Sequence, residues 1–287
     1  MRDLEGKTAV ITGSASGMGL AFATAFGQEG MNVVMADIEE KALRTAAAQV
    51  EAVGASVLPV ITDVGDEAAM DFLGEATRDA FGGAHLICLN AGVAAPTVPM
   101  ETLTVNDWRW TLDVNLWGVI HGIRVFLSDL KAQDEGHIVI TTSVAGLTSY
   151  PWLGPYNASK HAATTIAETL HAELMETGSK VRVSCLTPGA VATNIGDAER
   201  NRPKELRNED AEKETLGDLS EFAETFAGFA KAPPEVAELV LAAVVEERFW
   251  IETDDSYREP IRERHRAIEQ KAAPPAKGAI LNPYLER

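Results

Sequence analysis

Four residues of this chain have the types and spacing to move a proton on and off a substrate oxygen. Tyr156 and Lys160 stand four apart in Tyr156-Asn157-Ala158-Ser159-Lys160. The segment opens a stretch with helical pattern, so both side chains fall on one face. A free phenol has a pKa of about 10 and is a poor base near neutrality. A neighbouring ammonium, aided by any further positive charge beside it, favours phenolate, so Lys160 is expected to bring Tyr156 into working range. Tyr156 would then take a proton from an alcohol, or return one to a carbonyl. Ser143 precedes it at the end of an apolar run and can hold the substrate oxygen as charge develops. Asn115, inside a helical stretch where Asn is a poor former, is the fourth candidate, anchoring a water that relays protons from Lys160.

The hydride partner is signalled near the N-terminus. Thr12-Gly13-Ser14-Ala15-Ser16-Gly17-Met18-Gly19 lies between a β-branched run and an amphipathic helical pattern. Gly13 suits a tight turn, Gly17 lets backbone approach a pyrophosphate, and Gly19 permits close helix–strand contact. The helix beginning near Ser16, Gly17 and Met18 offers free N–H groups to phosphates. Asp37 follows the second apolar run, where an acid accepts hydrogen bonds from the adenosine ribose. Neither Ser14-Ala15-Ser16 nor Ile38-Glu39-Glu40 holds an Arg or Lys for a 2′-phosphate, so NAD is expected over NADP. Helix capping is the competing role for Asp37 and for Asp63, which with Val64 stands where the adenine would lie. Asn90-Ala91-Gly92 leaves the fourth run with side chains small enough to pass a ligand.

These residues need a frame. Strand-like runs are expected at 8–12, 32–36, 56–61, 86–90, 137–142, 181–186 and 249–252. Helical patterns fall at 17–29, 39–53, 67–81, 105–131, 156–177 and 234–246. Such alternation predicts βαβ units and a parallel sheet. The central runs are continuously apolar, as in strands covered on both faces. The expected fold is therefore α/β: a single-domain, doubly wound, Rossmann-type sheet with helices on both faces. Residues 1–253 form the expected catalytic domain and 254–287 a helical extension and tail.

Within it, 194–232 reads as a mobile substrate loop: 197–224 carries ten acids and five bases. Phe222, Phe226 and Phe229 share one helical face that could close over the pocket, core packing being the alternative. The apolar stretch 145–155, with Ala145 and Trp152, is expected to line that pocket beside Ser143 and Tyr156. No Arg or Lys other than Lys160 lies near these in sequence, which disfavours a strongly anionic substrate.

Composition excludes other classes. With 46% hydrophobic and 24% charged residues the 287-residue chain is globular rather than disordered. Its formal charge of −18 would repel nucleic acid and anionic membranes. Cys88 and Cys185, both in apolar runs, are too few for a disulfide framework or a zinc site, so no metal is expected. Met1–Glu5 lacks an apolar h-region and no uncharged run is apolar enough to span a bilayer, which points to the cytoplasm.

The sequence resembles the classical short-chain dehydrogenase/reductase family over about Lys7 to Glu252. The likeness rests on Thr12-Gly-x-x-x-Gly-x-Gly19, Asn90-Ala-Gly92, Asn115, Ser143, Tyr156-x-x-x-Lys160 and Pro188-Gly-Ala-Val-Ala-Thr193. It departs at Leu89, where the family usually has a second Asn. The resemblance implies a seven-stranded fold, a homo-oligomer (tetramer or dimer), and catalysis by Asn115, Ser143, Tyr156 and Lys160. It also implies a nicotinamide carboxamide near Pro188, Gly189 and Val191, with Thr193 on the phosphates. Asn201-Arg202-Pro203 and the charged C-terminal helix are similar to dehydrogenases of lignin-derived benzylic alcohols. The expected reaction interconverts a bulky, mostly apolar secondary alcohol and its ketone with NAD. An NADPH-dependent ketoreductase and a catalytically silent nucleotide sensor are the alternatives; Asp37 weighs against the first, the complete constellation against the second.

Overall fold

Every expected strand forms. A computed structural model describes residues 1, 3–94, 96–208 and 229–275. The strands are β1 (Thr8–Thr12), β2 (Asn32–Asp37), β3 (Val57–Ile61), β4 (Leu86–Leu89), β5 (His137–Thr141), β6 (Arg182–Thr187) and β7 (Trp250–Glu252). They form one parallel sheet in the order β3-β2-β1-β4-β5-β6-β7. Because the chain leaves β3 at one edge and returns to β4 beside β1, the winding reverses between β1 and β4. A crevice opens there at the carboxyl ends of the strands.

The helices are α1 (Gly17–Gln28), α2 (Glu40–Glu51), α3 (Glu67–Phe81), α4 (Val105–Leu112), α5 (Gly118–Ala132), α6 (Gly154–Glu176), α7 (Pro233–Glu246) and α8 (Arg258–Glu269). Alternate strand residues feed two cores, one on each face. Ala9, Ile11 and Val139 pack with Phe22, Phe26, Leu43 and Val240 from α1, α2 and α7. Val10, Ile138 and Ile140 pack with Met70, Leu73, Phe126 and Ala163 from α3, α5 and α6. Burial on both faces explains why these strands read as unbroken apolar runs.

One expected element is corrected. The stretch 105–131 is not a single helix: a wide π-helical turn, Asp113–Trp117, separates α4 from α5 and carries Asn115. The Asn115 amide explains it. Its Oδ1 accepts from Val93 N (2.8 Å) and its Nδ2 donates to Val93 O (2.9 Å). Two bonds to a chain segment outside the helix draw the turn outward, and such bulges recur at functional sites.

Among the described residues no helix is long and apolar enough to cross a membrane. The core also contains an ionisable group. His137 starts β5, fully buried, with Nε2 2.7 Å from Ser184 Oγ. Burial pulls its pKa from 6.5 to about 3. The unfolded chain therefore binds a proton that the folded chain refuses as pH falls below 6.5. Stability should drop by about 1.4 kcal/mol per pH unit from this group as pH falls below that value. Urea unfolding of the wild type and His137→Gln between pH 7 and 4 tests this; equal slopes would refute it.

Candidate active site

The crevice begins with the turn between β1 and α1. Gly17 has a φ of +56°, and a Cβ there would meet Thr193 Cγ2 at 3.2 Å. Gly19 is tighter: a Cβ would stand 2.0 Å from the Gly13 carbonyl oxygen. Only glycine lets α1 start this close to the strand. Ser16 caps the helix without a side-chain bond to it, so first-turn N–H groups, Met18 included, face the crevice mouth without a side-chain cap. This is the arrangement that accepts a phosphate.

The floor is braced from neighbouring strands. Asn90 Nδ2 donates to Thr12 O (3.0 Å), while Thr12 Oγ1 accepts from Asn90 N (2.9 Å) and Ala91 N (3.1 Å). Thr141 Oγ1 donates to Asn90 Oδ1 at 3.3 Å, tying in β5. Gly92 follows directly, between Asn115 Oδ1 and Lys160 Nζ. Leu89, the departure from the family pattern, is buried in the core against Gly122 on α5.

Asp37 ends β2 at the ribose-side edge. Its Oδ2 accepts from Ala15 N (2.9 Å) and its Oδ1 from Glu39 N (3.0 Å). It therefore joins the glycine turn to the start of α2, so the capping role and a ligand role coexist on one carboxylate. Burial raises its pKa, opposed by those backbone bonds, and the nearby Glu39 charge raises it further. Asp63 does not cap α3. Its Oδ1 accepts from Gly65 N (2.9 Å), turning the chain at Val64, and Asp66 caps the helix instead.

At the end of β5, Ser143 Oγ accepts from Ala145 N (3.1 Å) and lies 3.5 Å from Pro188 O. Tyr156 and Lys160 lie in the first turns of α6, which Pro155 starts. Gly146 allows this contact, since a Cβ would meet Thr164 Oγ1 at 2.6 Å and Lys160 O at 2.7 Å. Lys160 is buried, with Nζ donating to Thr141 O (3.0 Å) and standing 5.7 Å from the Tyr156 ring centre. The structure thus brings Ser143, Tyr156, Lys160 and Asn115 to one spot.

In the protein alone burial pushes the Tyr156 phenol up, and a hydrogen bond from Ser143 pulls it back. Burial also brings Lys160 down to about 8, so its charge is itself under pressure. The Asn115 side chain bonds Val93 and Ser159 Oγ (3.1 Å). Ser159, in turn, donates to Tyr156 O at 2.8 Å. No local pattern marks Ser159 as a positioning residue, because its partner Asn115 lies on another element.

Beyond β6, Gly189 N donates to Thr253 Oγ1 (3.0 Å), and Val191 pairs with Lys231, closing the base of the excursion. Thr193 then reaches Gly17, and a helical turn, 194–201, runs on towards α2. Arg200 Nη2 donates to Glu39 Oε1 (2.7 Å), as does Asn201 Nδ2 (2.9 Å). Arg202 turns the other way, bonding Asp107 Oδ1 on α4 at 2.7 Å and stacking on Trp110. The excursion therefore crosses the crevice and is tied on both sides. Phe222 and Phe226 of the aromatic stripe lie outside the described residues; Phe229 is partly exposed.

Of the residues expected beside Ser143 and Tyr156, Ala145 is buried and Trp152 is 42% exposed at a φ of +65°. Ala145 packs with Val144, Tyr150, Ala190 and Tyr257, flanked by Tyr156 and Ile261. The C-terminal extension thus packs beside the site, which no local motif announces.

A parallel sheet with a glycine turn at its winding reversal, and a Tyr–Lys pair beside it, defines a Rossmann-type α/β protein built to hold a dinucleotide. Comparison with known proteins is specific. The short chain dehydrogenase family matches residues 7–204. A short-chain dehydrogenase/reductase from Burkholderia phymatum, solved in complex with NAD, shares 41% identity at a TM-score of 0.93 and covers 97% of this chain and 100% of its own. A C alpha-dehydrogenase from Sphingobium sp. strain SYK-6 is 30% identical across 96% of this chain and 89% of its own. A 1-deoxy-11-beta-hydroxypentalenate dehydrogenase from Streptomyces exfoliatus is 32% identical across 91% and 88%. The chain belongs to the short chain dehydrogenase family, and so to the oxidoreductases.

The Asp107–Arg202 pair makes a strong energetic prediction. Both side chains are at most 3% exposed. Burial opposes the Asp107 charge, yet bonds from Thr104 and Arg202 outweigh it and hold its carboxyl below the usual range. Asp107→Ala should cost about 3 kcal/mol, because it leaves a buried guanidinium with the half-exposed Glu199 as its remaining ion partner. Asp107→Ala with Arg202→Met should recover part of that loss. Urea unfolding measures both, and a single-variant loss within 0.5 kcal/mol would overturn the argument.

Proposed function

We propose that this chain is an NAD-dependent oxidoreductase that interconverts a bulky, mostly apolar secondary alcohol, aromatic or benzylic, and its ketone. The observation that carries the reading is a half-buried phenol, Tyr156, hydrogen-bonded by Ser143 and followed one turn later by buried Lys160. The crevice suits the dinucleotide. Gly13, Ser16, Gly17, Met18 and Gly19 would receive the pyrophosphate, on a turn so close to its neighbours that a Cβ at Gly13, Gly17 or Gly19 would press on Ala91, Thr193 or the Gly13 carbonyl. Asp37 would accept from the adenosine ribose hydroxyls, with Asp63 and Val64 beside the adenine and Asn90, Ala91 and Gly92 beneath. Pro188, Gly189 and Val191 would hold the carboxamide, and Thr193 the phosphates. When bound, the nicotinamide supplies or accepts the hydride.

The chain's residues manage the proton. Tyr156 Oη takes the alcohol proton, or donates one in reverse, while the Ser143 hydroxyl holds the same substrate oxygen. In the protein alone burial favours the neutral phenol, so the acidifying influence must come from Lys160 together with a positive ring. Lys160, with a pKa of about 8, can act near neutrality as the next proton carrier. With the Asn115 amide committed, the group accepting from Lys160 is the Thr141 carbonyl.

An apolar substrate is supported by the apolar cluster of Ala145, Tyr150, Tyr257 and Ile261 packed around Tyr156. Arg202, the base that the excursion carries to α4, is spent on Asp107 and Glu199. The dehydrogenases to which the chain is similar point the same way. The family resemblance further implies a homo-oligomer, dimeric or tetrameric, and the free, buried Cys88 and Cys185 suit a reducing cytoplasm.

Purified protein should reduce NAD with hydrophobic secondary alcohols, followed by the absorbance of the reduced nicotinamide. Tyr156→Phe should lower kcat about 10²–10⁴-fold while NADH still binds. Normal turnover by that variant would remove Tyr156 from the acid–base role.

A further inference from the structure

The ribose-side edge of the crevice is more charged than the local sequence shows. Ile38-Glu39-Glu40 holds no base, yet the fold delivers one from the far end of the chain. Arg200 donates through Nη2 to Glu39 Oε1 at 2.7 Å and through Nη1 to the carbonyls of Asn194 and Asp197. Asn201 Nδ2 reaches the same Glu39 oxygen at 2.9 Å. The Glu39 backbone amide, meanwhile, donates to Asp37 Oδ1. One residue thus connects the carboxylate proposed for the ribose to the guanidinium of the excursion. Beside it opens a cleft of about 400 Å³, lined by Ala15, Leu20, Glu39 and Lys41. Ala15 N is the donor to Asp37 Oδ2, so this cleft adjoins the place where a 2′-substituent of the ribose would point.

We infer that Glu39 is a cofactor-specificity residue: by engaging Arg200 it withholds a cation that would otherwise bind the 2′-phosphate of NADP. The inference rests on the dinucleotide reading above and deepens it. Charge balance carries the argument. Asp37 and Glu39 present two carboxylates at this edge and Asp197 a third at 3.9 Å from Arg200, against Arg200 and Lys41. A phosphate arriving there meets repulsion from these acids and finds the guanidinium already bonded. Guanidinium–phosphate contacts are among the stronger charge-assisted bonds, so releasing Arg200 should matter measurably. Asp37 still opposes the phosphate, and the effect is a shift in preference rather than a full reversal.

The test measures NADH and NADPH dissociation constants by nicotinamide fluorescence on the full chain, for the wild type, Glu39→Gln, Arg200→Met and the double variant. The wild type should favour NADH. Glu39→Gln should move the ratio of the two constants about tenfold towards NADPH, the worth of one charge-assisted bond. Adding Arg200→Met to Glu39→Gln should cancel most of that shift, whereas adding Arg200→Lys should keep part of it. An unchanged ratio in Glu39→Gln, or a shift that survives in the double variant, overturns the inference. NADH binding in each variant reports that the edge is intact, and Glu39→Asp, which shortens the reach to Arg200, gives a second reading of the same ratio. Should the wild type bind neither dinucleotide, the cofactor reading fails and the inference with it. Should it bind both with Glu39→Gln silent, only the inference falls.

Discussion

A positive charge carried into the interior is the constraint around which the site is organised. Lys160 is 2% exposed, and burial alone brings its pKa to about 8. An ammonium in such surroundings survives only with polar groups placed against it. The Thr141 carbonyl at the end of β5 supplies one. The carbonyl stays available because β5 ends there, its next residues turning away into the Ser143 loop. That turn in turn rests on Gly146 lying against α6 at Lys160 itself. Strand end, loop and helix are thus locked by one buried side chain.

The phenol feels the same interior with the opposite result. Burial raises Tyr156 and lowers Lys160, so desolvation drives both towards their neutral forms. The pair is consequently sensitive to any charge brought alongside it. A cationic ring arriving in the crevice would favour the phenolate directly, which makes proton transfer conditional on a filled site. Ser143 moderates the phenol before that through its hydrogen bond.

The excursion after β6 is held by two unlike ion pairs. Arg202 and Asp107 are buried and packed against Trp110, where breaking the pair is costly. Arg200 and Glu39 are each 31% exposed, where water and salt weaken the attraction. The firm tie is to α4. The weaker one is to α2, beside Asp37. Segments that lie across a binding crevice are drawn from the less stable parts of a fold, and the difference in burial says which tie yields first.

Much of this was legible in the chain itself. Seven strands emerged because residues buried on both faces must be apolar without interruption. The glycine turn, Asp37 and the Tyr156–Lys160 spacing were visible because backbone clearance and helical period are local properties. The single helix expected over 105–131 failed for a reason no local pattern carries: the Asn115 amide is bonded to Val93, which arrives from β4. Likewise the base missing beside Asp37 is supplied by Arg200, and the wall beside Ala145 by Tyr257. The order of residues set the elements and their chemistry, since propensity, periodicity and turn geometry act over a few positions. Which charges meet, and how deeply each is buried, was decided only when elements distant in the chain were packed together, because desolvation and ion pairing depend on distances in space.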